Sequence, residues 1–362
     1  MESFKMKINL DDFRLLPGDK PINEYLSKKI SIISLFSAFA VVLIHCYNPD
    51  LEQGSTAYFV ERFFSQAFCR SAVPFFFASS GFLLCATLPD EKFSTLLQKL
   101  KKRVRTIFIP WLLWLCIYLI FFWGLYRFLS VWNKQIYLCD WQKSSEPVWF
   151  ILKEYIWGDG IIHLWFLKRL MLFFVFSPVF IFLIKRFSLG GLAVAAGLVF
   201  VIDNPTLSPQ TTWFNDDLLC FISGMSLSCL RFDIRKKCPW YIGCILFIIW
   251  ILLCIFPMPG FRFVYLRNLV GLAAIWTFFD TIYPLVKNRL KFLLECASFS
   301  FPVYCFHMIP LSLARILLTT RIPNVLLRYF LIWFVAVLGS IIFIWCLKKL
   351  FSGAYKILSG GR

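Results

Sequence analysis

Ten long apolar runs, separated by polar segments, constrain the fold of this chain more than any other feature of its sequence. A transmembrane helix needs about twenty predominantly apolar residues. The runs lie at about 30–46, 71–88, 108–130, 163–184, 188–203, 213–230, 239–257, 264–284, 296–318 and 325–347. The weakest is 188–203, which is short and rich in glycine and alanine. We therefore predict an all-α, polytopic membrane protein with about ten transmembrane helices.

Composition and charge agree with this class. The 362 residues are 59% hydrophobic and 16% charged, and the formal net charge is +18. In a soluble protein such a charge would suggest nucleic acid as a partner. Here most of the 38 Lys and Arg residues fall in segments that lie inside if both termini are cytoplasmic. Because cytoplasmic loops of membrane proteins are enriched in Lys and Arg, we predict cytoplasmic termini and no nucleic-acid partner.

The predicted domain organisation has three parts. Residues 1–29 form a polar cytoplasmic segment, residues 30–350 a single membrane domain, and residues 351–362 a cytoplasmic tail. No small-residue cleavage site follows the first apolar run, so we expect a retained span rather than a signal peptide. The tryptophan-rich segment at 131–162 is expected on the outer side, either as an interfacial belt or as a cover over a site.

The cysteines give no indication of a metal site. The chain has thirteen, mainly within apolar runs and without a CxxC pair, so buried and inert thiols are expected. Cys46, Cys69 and Cys139 fall near one predicted membrane face, which leaves a disulfide there open. The sequence also lacks a glycine-rich phosphate loop and a GxSxG elbow.

Three histidines are the main candidates for chemistry, and the chain has no others. His45 ends the first predicted span, His163 begins the fourth, and His307 lies within the ninth. A neutral imidazole shielded from water can take the proton of a hydroxyl group. Each could instead be a structural histidine with satisfied hydrogen bonds. Spacing alone does not choose between His45 and His163 as a base.

Arginines lie at both predicted membrane faces. Arg70 opens the second span at the level of His45, where it either reaches the headgroups or a carboxylate, or stabilises a developing negative charge. Arg103 and Arg105 belong to a basic run before the third span. They either interact with anionic lipid or bind the phosphates of a nucleotide-type donor.

Five segments in register resemble the membrane acyltransferase-3 family. They are AVVLIHCYN at 40–48, FCRSAVPFFFASSGFLL at 68–84, LKKRVRTIFIPWLLW at 100–114, HLWFLKRLMLFFVFSPV at 163–179 and SFSFPVYCFHMIP at 298–310. The resemblance implies an O-acyltransferase that moves an acyl group, most often acetyl, from acyl-CoA to a hydroxyl of an envelope glycan or its lipid-linked precursor. One departure is Ser34, where the family often has an arginine eleven residues before the first-span histidine.

The resemblance also implies roles for named residues. We expect His45 as the general base, Arg70 as the group that stabilises negative charge, His163, Trp165, Tyr304 and His307 around the acceptor, and Arg103 and Arg105 at the donor phosphates. Acetyl-CoA would be a co-substrate, with no metal and no permanently bound cofactor. We expect the protein to be a multi-pass component of the cytoplasmic (inner) membrane. Two alternatives stay open, namely a carrier or flippase for a lipid-linked sugar, with Asp280 as its clearest intramembrane acid, and an inactive membrane scaffold.

Overall fold

The computed structural model of this protein describes residues 14–16, 18–88, 93–131, 163–188, 216–256 and 261–361. Within these ranges the chain is all-helical and contains no strand. Six continuous helical stretches among the described residues are long and apolar enough to cross a membrane, and some of them contain more than one of the helices numbered below. A bent pair of helices, Ser300–Phe306 and Met308–Thr319, counts as a seventh span if the pair is taken as one. The predicted all-α membrane class is therefore confirmed. Some regions discussed from sequence lie outside the described residues. They are almost all of the segment at 131–162, including Cys139, and the run at 188–203 beyond residue 188.

The described chain forms fourteen α-helices, which we number in order. They are α1 (Glu24–His45), α2 (Thr56–Glu61), α3 (Ala72–Ala86), α4 (Phe93–Arg103), α5 (Ile109–Val131), α6 (Trp165–Phe187), α7 (Asp216–Cys229), α8 (Trp240–Ile255), α9 (Phe261–Val286), α10 (Leu290–Ala297), α11 (Ser300–Phe306), α12 (Met308–Thr319), α13 (Val325–Leu350) and α14 (Ser352–Leu358). Short π-helical segments lie at Arg62–Ala67 and Val104–Phe108, and 3-10 turns lie at Phe68–Ser71 and Lys287–Arg289. Helices α7 and α8 are apolar but shorter than a full span.

The chain divides into two compact units, which are described separately. The first contains residues 1–34, 71–96 and 176–294, and the second contains residues 35–70, 97–175 and 295–362. Helix α1 belongs to the first unit as far as Ser34 and to the second from Leu35.

In the first unit, two glycines allow α3 and α7 to pack with their backbones in close contact. A Cβ atom added at Gly81 would lie 2.1 Å from the carbonyl oxygen of Phe221, and one added at Gly224 would lie 1.9 Å from that of Ala78. Small residues at helix interfaces are typical of membrane proteins, where close packing rather than burial from water holds helices together. The sequence therefore brings these two helices together through the absence of side chains.

Gly224→Ala is expected to destabilise the protein by about 1–3 kcal/mol, the usual cost of overpacking a tight interface. The measurement is the midpoint of thermal unfolding of the full-length protein in detergent. Gly353→Ala in α14 is the matched control, because no atom lies within 4 Å of the Cβ position at Gly353. Equal midpoints for the two variants would contradict the close contact between α3 and α7.

The N-terminal residues of the first unit pack on the loop that joins α7 to α8. Arg235 in this loop forms ion pairs with Asp19 and with Asp233, both at 2.7 Å. The Arg235 guanidinium donates to Asp233 and holds the pKa of that carboxyl below its usual range. The N-terminal segment and the loop therefore lie at the same end of the unit.

The second unit is organised around the last turns of α1. Buried side chains from these turns pack against α12 and α13, and they form a cluster of Val42, Leu43, Ile44, Cys46, Cys69, Leu311, Ala314, Tyr329, Ile332, Ala336 and Val337. Hydrogen bonds reinforce the packing, since the Ser65 hydroxyl donates to the Leu43 carbonyl at 2.7 Å. Cys46 and Cys69 are both buried, and no disulfide joins them. This packing holds the end of α1 in one position.

The residues assigned from sequence to a C-terminal tail include α14, and they pack on α5 and the π segment that precedes it. The Trp114 indole N–H donates to the Leu358 carbonyl at 3.2 Å. Gly360 has φ +69°, and a Cβ atom there would lie 2.1 Å from the Thr106 carbonyl oxygen. Both the left-handed backbone and the close approach require glycine at this position. These residues are an integral part of the second unit.

Candidate active site

Three imidazoles converge in the second unit. The ring centroids are 4.9 Å apart for His163 and His307, 5.4 Å for His45 and His307, and 6.3 Å for His45 and His163. His163 and His307 are buried, with 2% and 0% of their surface exposed, whereas His45 is partly exposed. The described residues include no group of three or more His, Cys, Asp or Glu side chains placed to hold a metal ion. The cluster unites all three histidines selected from the sequence.

A break between α11 and α12 places His307 in this cluster. The two helices meet at an angle of 50°. Pro310 has no N–H group to donate to the carbonyl of Phe306, four residues earlier, and such a loss breaks or bends a helix. Next to the break, side chains donate to backbone carbonyls: His307 Nδ1 to Tyr304 at 2.7 Å, and Tyr118 Oη to Cys305 at 2.7 Å. The broken helix thus provides the acceptors that fix the rings.

These hydrogen bonds determine where the protons of the two buried imidazoles lie. A carbonyl oxygen only accepts, so Nδ1 of His307 carries a hydrogen, and so does Nε2 of His163, which donates to Cys305 at 3.1 Å. In a neutral imidazole the other nitrogen then holds a lone pair. Those nitrogens, Nε2 of His307 and Nδ1 of His163, have no hydrogen-bond partner within the described part of the chain. The site therefore presents two buried acceptors on adjacent rings.

Two tyrosines hold the ring of His163. The Tyr118 ring centroid lies 4.8 Å from that of His163, and the Tyr304 hydroxyl donates to the backbone carbonyl of His163. From α6 it is Phe166 that contacts the Tyr304 ring, at 5.6 Å. Trp165 lies instead with its ring 4.5 Å from the guanidinium of Arg169. Sequence reasoning selected Tyr304 and missed Tyr118, which is one aromatic residue among many in its apolar run.

The backbone around His45 is held by charged side chains. His45 is the last residue of α1, and Arg315 from α12 donates to the carbonyls of His45 and Tyr47 at 2.9 and 3.4 Å. Glu61, of which 1% is exposed, accepts the N–H of Asn48 at 2.9 Å. A cation at a helix C-terminus satisfies carbonyls that have no partner within the helix. Arg315 therefore fixes the position from which the His45 ring projects.

Arg70, the other residue selected from sequence as catalytic, lies in the 3-10 turn between the π segment Arg62–Ala67 and α3. Its side chain is exposed and donates to Gln66. The charges of Arg70 and Arg315 both act on the His45 imidazole. Arg70 is thus near His45, but at the surface of the unit.

The two arginines expected at the donor lie where α4 ends and α5 begins. The Arg103 guanidinium is 5.2 Å from the Phe174 ring centroid and is partly buried, whereas Arg105 is exposed within the π segment Val104–Phe108. π-helical segments are rare in proteins, and those that occur are often found at functional sites. Arg105 therefore presents its charge at the surface of the unit.

Fold and site together define a multi-pass helical membrane protein with a buried imidazole cluster at the end of a spanning helix. The family model described as an acyltransferase domain, that of acyltransferase-3, matches residues 30–348. This chain belongs to the acyltransferase-3 family, as the five segments predicted. Searches of curated proteins and of solved structures gave no match. The family match supports a membrane acyltransferase.

Proposed function

We propose that this protein is a membrane O-acyltransferase that moves an acetyl group from acetyl-CoA to a hydroxyl of an envelope glycan or its lipid-linked precursor. The observation that carries the proposal is the convergence of His45, His163 and His307 in a member of an acyltransferase family. Acylation of a hydroxyl requires a group that removes its proton as the oxygen attacks. The cluster supplies imidazoles for that step in a largely buried setting.

His45 is the proposed general base. His45 is the only one of the three residues that is partly exposed, so it is the one that a ligand entering from the surface can reach. In the reaction the acceptor oxygen attacks the thioester carbonyl carbon while its proton moves to His45. The carbon–sulfur bond then breaks, and the proton passes to the departing thiolate to give free coenzyme A. Arg70 stabilises the negative charge that develops on the carbonyl oxygen.

Arg103 and Arg105 are the proposed contacts for the donor phosphates. Guanidinium groups bind phosphate through charge-assisted, often bidentate hydrogen bonds. In the proposed topology, ten spans of one membrane domain at 30–350 lie in the cytoplasmic membrane with both termini inside. The donor then meets these arginines at the cytoplasmic face, and the acceptor meets His45 at the outer face.

The test is acyl transfer by the full-length protein in liposomes, with radiolabelled acetyl-CoA as donor and envelope polysaccharide and lipid extracts as acceptors. We expect label in the acceptor, a mass gain of one acetyl group per modified hydroxyl, and one free thiol released for each transfer. Heat-denatured protein in the same liposomes is the control. Movement of acceptor across the bilayer without a change in its mass would instead identify a carrier, and the absence of both would identify a scaffold.

A further inference from the structure

We propose that neutral His163 and His307 bind the substrate that receives the acyl group, and that each imidazole accepts a hydrogen bond from it. The group that they recognise is a vicinal diol, two hydroxyls on adjacent carbons of a sugar. The inference rests on the proposed function and names the chemistry of its acceptor. Two atoms carry it, Nδ1 of His163 and Nε2 of His307. Each is buried and lacks a hydrogen-bond partner within the described residues.

Each of these two nitrogens needs a hydrogen from outside the described residues. Buried polar atoms in folded proteins are nearly always hydrogen-bonded, and the exceptions need an explanation. The opposite nitrogen of each ring already donates to a backbone carbonyl of α11, so neither ring can rotate to exchange its two nitrogens without the loss of that bond. The two lone pairs are therefore fixed in the site.

The two lone pairs also select the charge of the ligand. A lone pair attracts the hydrogen of a hydroxyl and repels the oxygen of a carboxylate or phosphate. Fixed lone pairs on His163 and His307 thus favour a neutral hydroxyl group over an anion. The arginines near His45, by contrast, are exposed or occupied with backbone carbonyls.

The two nitrogens set the number and the spacing of the hydroxyls that a ligand needs. One hydroxyl has one hydrogen and can satisfy one of the two nitrogens, so both nitrogens require two donors. The two rings are 4.9 Å apart between centroids and inclined at 71°, so one small group can reach both. Adjacent hydroxyls of a sugar ring provide this pair. The His45 ring, 5.4 Å from that of His307, is then within reach of one of the two oxygens.

Tyr118 is a positioning residue in this arrangement. Its hydroxyl and Nε2 of His163 donate to the same carbonyl, that of Cys305, at 2.7 and 3.1 Å. The Tyr118 ring also packs edge-to-face on that of His163. Tyr118 therefore orients both the Cys305 carbonyl and the His163 ring that donates to it.

Nitrogen NMR of the full-length protein labelled only at histidine tests the inference without any requirement for turnover. The spectrum contains three imidazoles because the chain has three histidines. We expect two neutral rings of opposite tautomer, protonated at Nε2 in His163 and at Nδ1 in His307. Spectra of His163→Asn and His307→Gln assign them.

The probe is ethylene glycol, the smallest vicinal diol, compared with 2-methoxyethanol, which has one hydroxyl, and with sodium acetate. Ethylene glycol should shift the unprotonated nitrogens of both rings, and 2-methoxyethanol should shift at most one. The proposal would be overturned if His163 and His307 had the same tautomer or if either ring were protonated. It would also be overturned by an equal response to both alcohols or by a larger response to acetate. Because no acyl transfer is measured, these outcomes are independent of the proposed function.

Steady-state kinetics supply the second test. His163→Asn and His307→Gln each keep an oxygen acceptor close to the lost lone pair, whereas the leucine variants do not. We expect the leucine variants to raise the KM for the acceptor by about 5- to 150-fold, the range for a buried group left unpaired, and the amide variants to raise it less. The KM for acetyl-CoA should not change. A lower kcat in His307→Gln at an unchanged KM would indicate that His307 is a base. It would overturn the assignment of His307 as a hydrogen-bond acceptor for the substrate.

Discussion

His45→Ala should lower the rate of acyl transfer by about 10²–10⁴-fold, the usual contribution of a positioned acid–base group. The ring of His45 lies within 5.4 Å of His307 and 6.3 Å of His163 between centroids, and it alone of the three is partly exposed. Alanine removes the proton acceptor and leaves the buried rings in place. The measurement is kcat for acetyl transfer in liposomes, with the amount of inserted protein matched.

The pH profile separates a base from a structural role. The wild-type protein should lose activity as the pH falls, because a protonated imidazole has no lone pair with which to accept a proton. In His45→Ala the residual activity should lack that acidic limb. A structural histidine would give lower activity with the limb retained.

Tyr47→Phe is the matched control for His45→Ala. It changes a side chain two positions away and keeps the backbone carbonyl that Arg315 contacts. We expect its activity to equal that of the wild type. Equal activity of His45→Ala and Tyr47→Phe would remove His45 from the mechanism, and His307 would then be the next candidate for the base.

The class of the fold was predictable because a bilayer imposes long apolar helices. The run at 325–347 falls within α13, and the run at 30–46 ends one residue beyond α1. Helix ends were less predictable, since α1 begins at Glu24, within the polar segment that precedes its apolar run. Two of the residues in this polar stretch, Tyr25 and Lys29, bond to Asp280, and partners so distant in sequence cannot be read from the local pattern.

The polar residues of α1 show the limit of reading one helix alone. By helical periodicity Ser31 and Ser34 share a face with His45 and form a polar stripe along α1. In the structure the Ser31 hydroxyl donates to the carbonyl of Ser27 and that of Ser34 to the carbonyl of Ile30. Serine hydroxyls commonly bond to the preceding helical turn in this way. The stripe therefore has a local explanation.

The candidate site was predictable as a set of residues and not as a geometry. Each histidine was conspicuous because polar residues in apolar spans are rare. The bonds that fix the rings join His163 and Tyr118 to the carbonyl of Cys305, across separations of 142 and 187 residues. Pro310, three residues after His307, was the one local signal of the helix break that frees such carbonyls.

Asp280, the acid that a carrier would have used, is paired in the first unit. Its Oδ1 atom lies 2.7 Å from Nζ of Lys29, and 1% of each side chain is exposed. The Tyr25 hydroxyl also donates to Oδ1, and the backbone N–H of Cys238 donates to Oδ2 at 2.8 Å. Nζ of Lys29 lies 4.2 Å from the centroid of the Trp276 ring. The carboxylate is satisfied on both oxygens and joins α1 to α9.

Lys29→Met should destabilise the protein by about 3–5 kcal/mol, because removal of one partner leaves a buried, uncompensated charge on the other. The physical reason is desolvation, since the Asp280 carboxylate would keep its burial and lose its cation. The measurement is the thermal unfolding midpoint of the full-length protein in detergent. The double variant Lys29→Met/Asp280→Asn should recover most of the loss, since it removes both charges, its amide oxygen can accept from the Cys238 N–H, and its NH2 group can donate to the Tyr25 hydroxyl.

Lys28 provides a control one position earlier in the same helix. Its ammonium pairs with Glu24, and the side chain of Glu24 is 81% exposed. Exposed pairs of this kind contribute little, so Lys28→Met should leave the midpoint unchanged. Equal midpoints for Lys28→Met and Lys29→Met would show that the buried pair does not hold α1 against α9. A double variant as unstable as the sum of its two single variants would lead to the same conclusion, because it would show no coupling between Lys29 and Asp280.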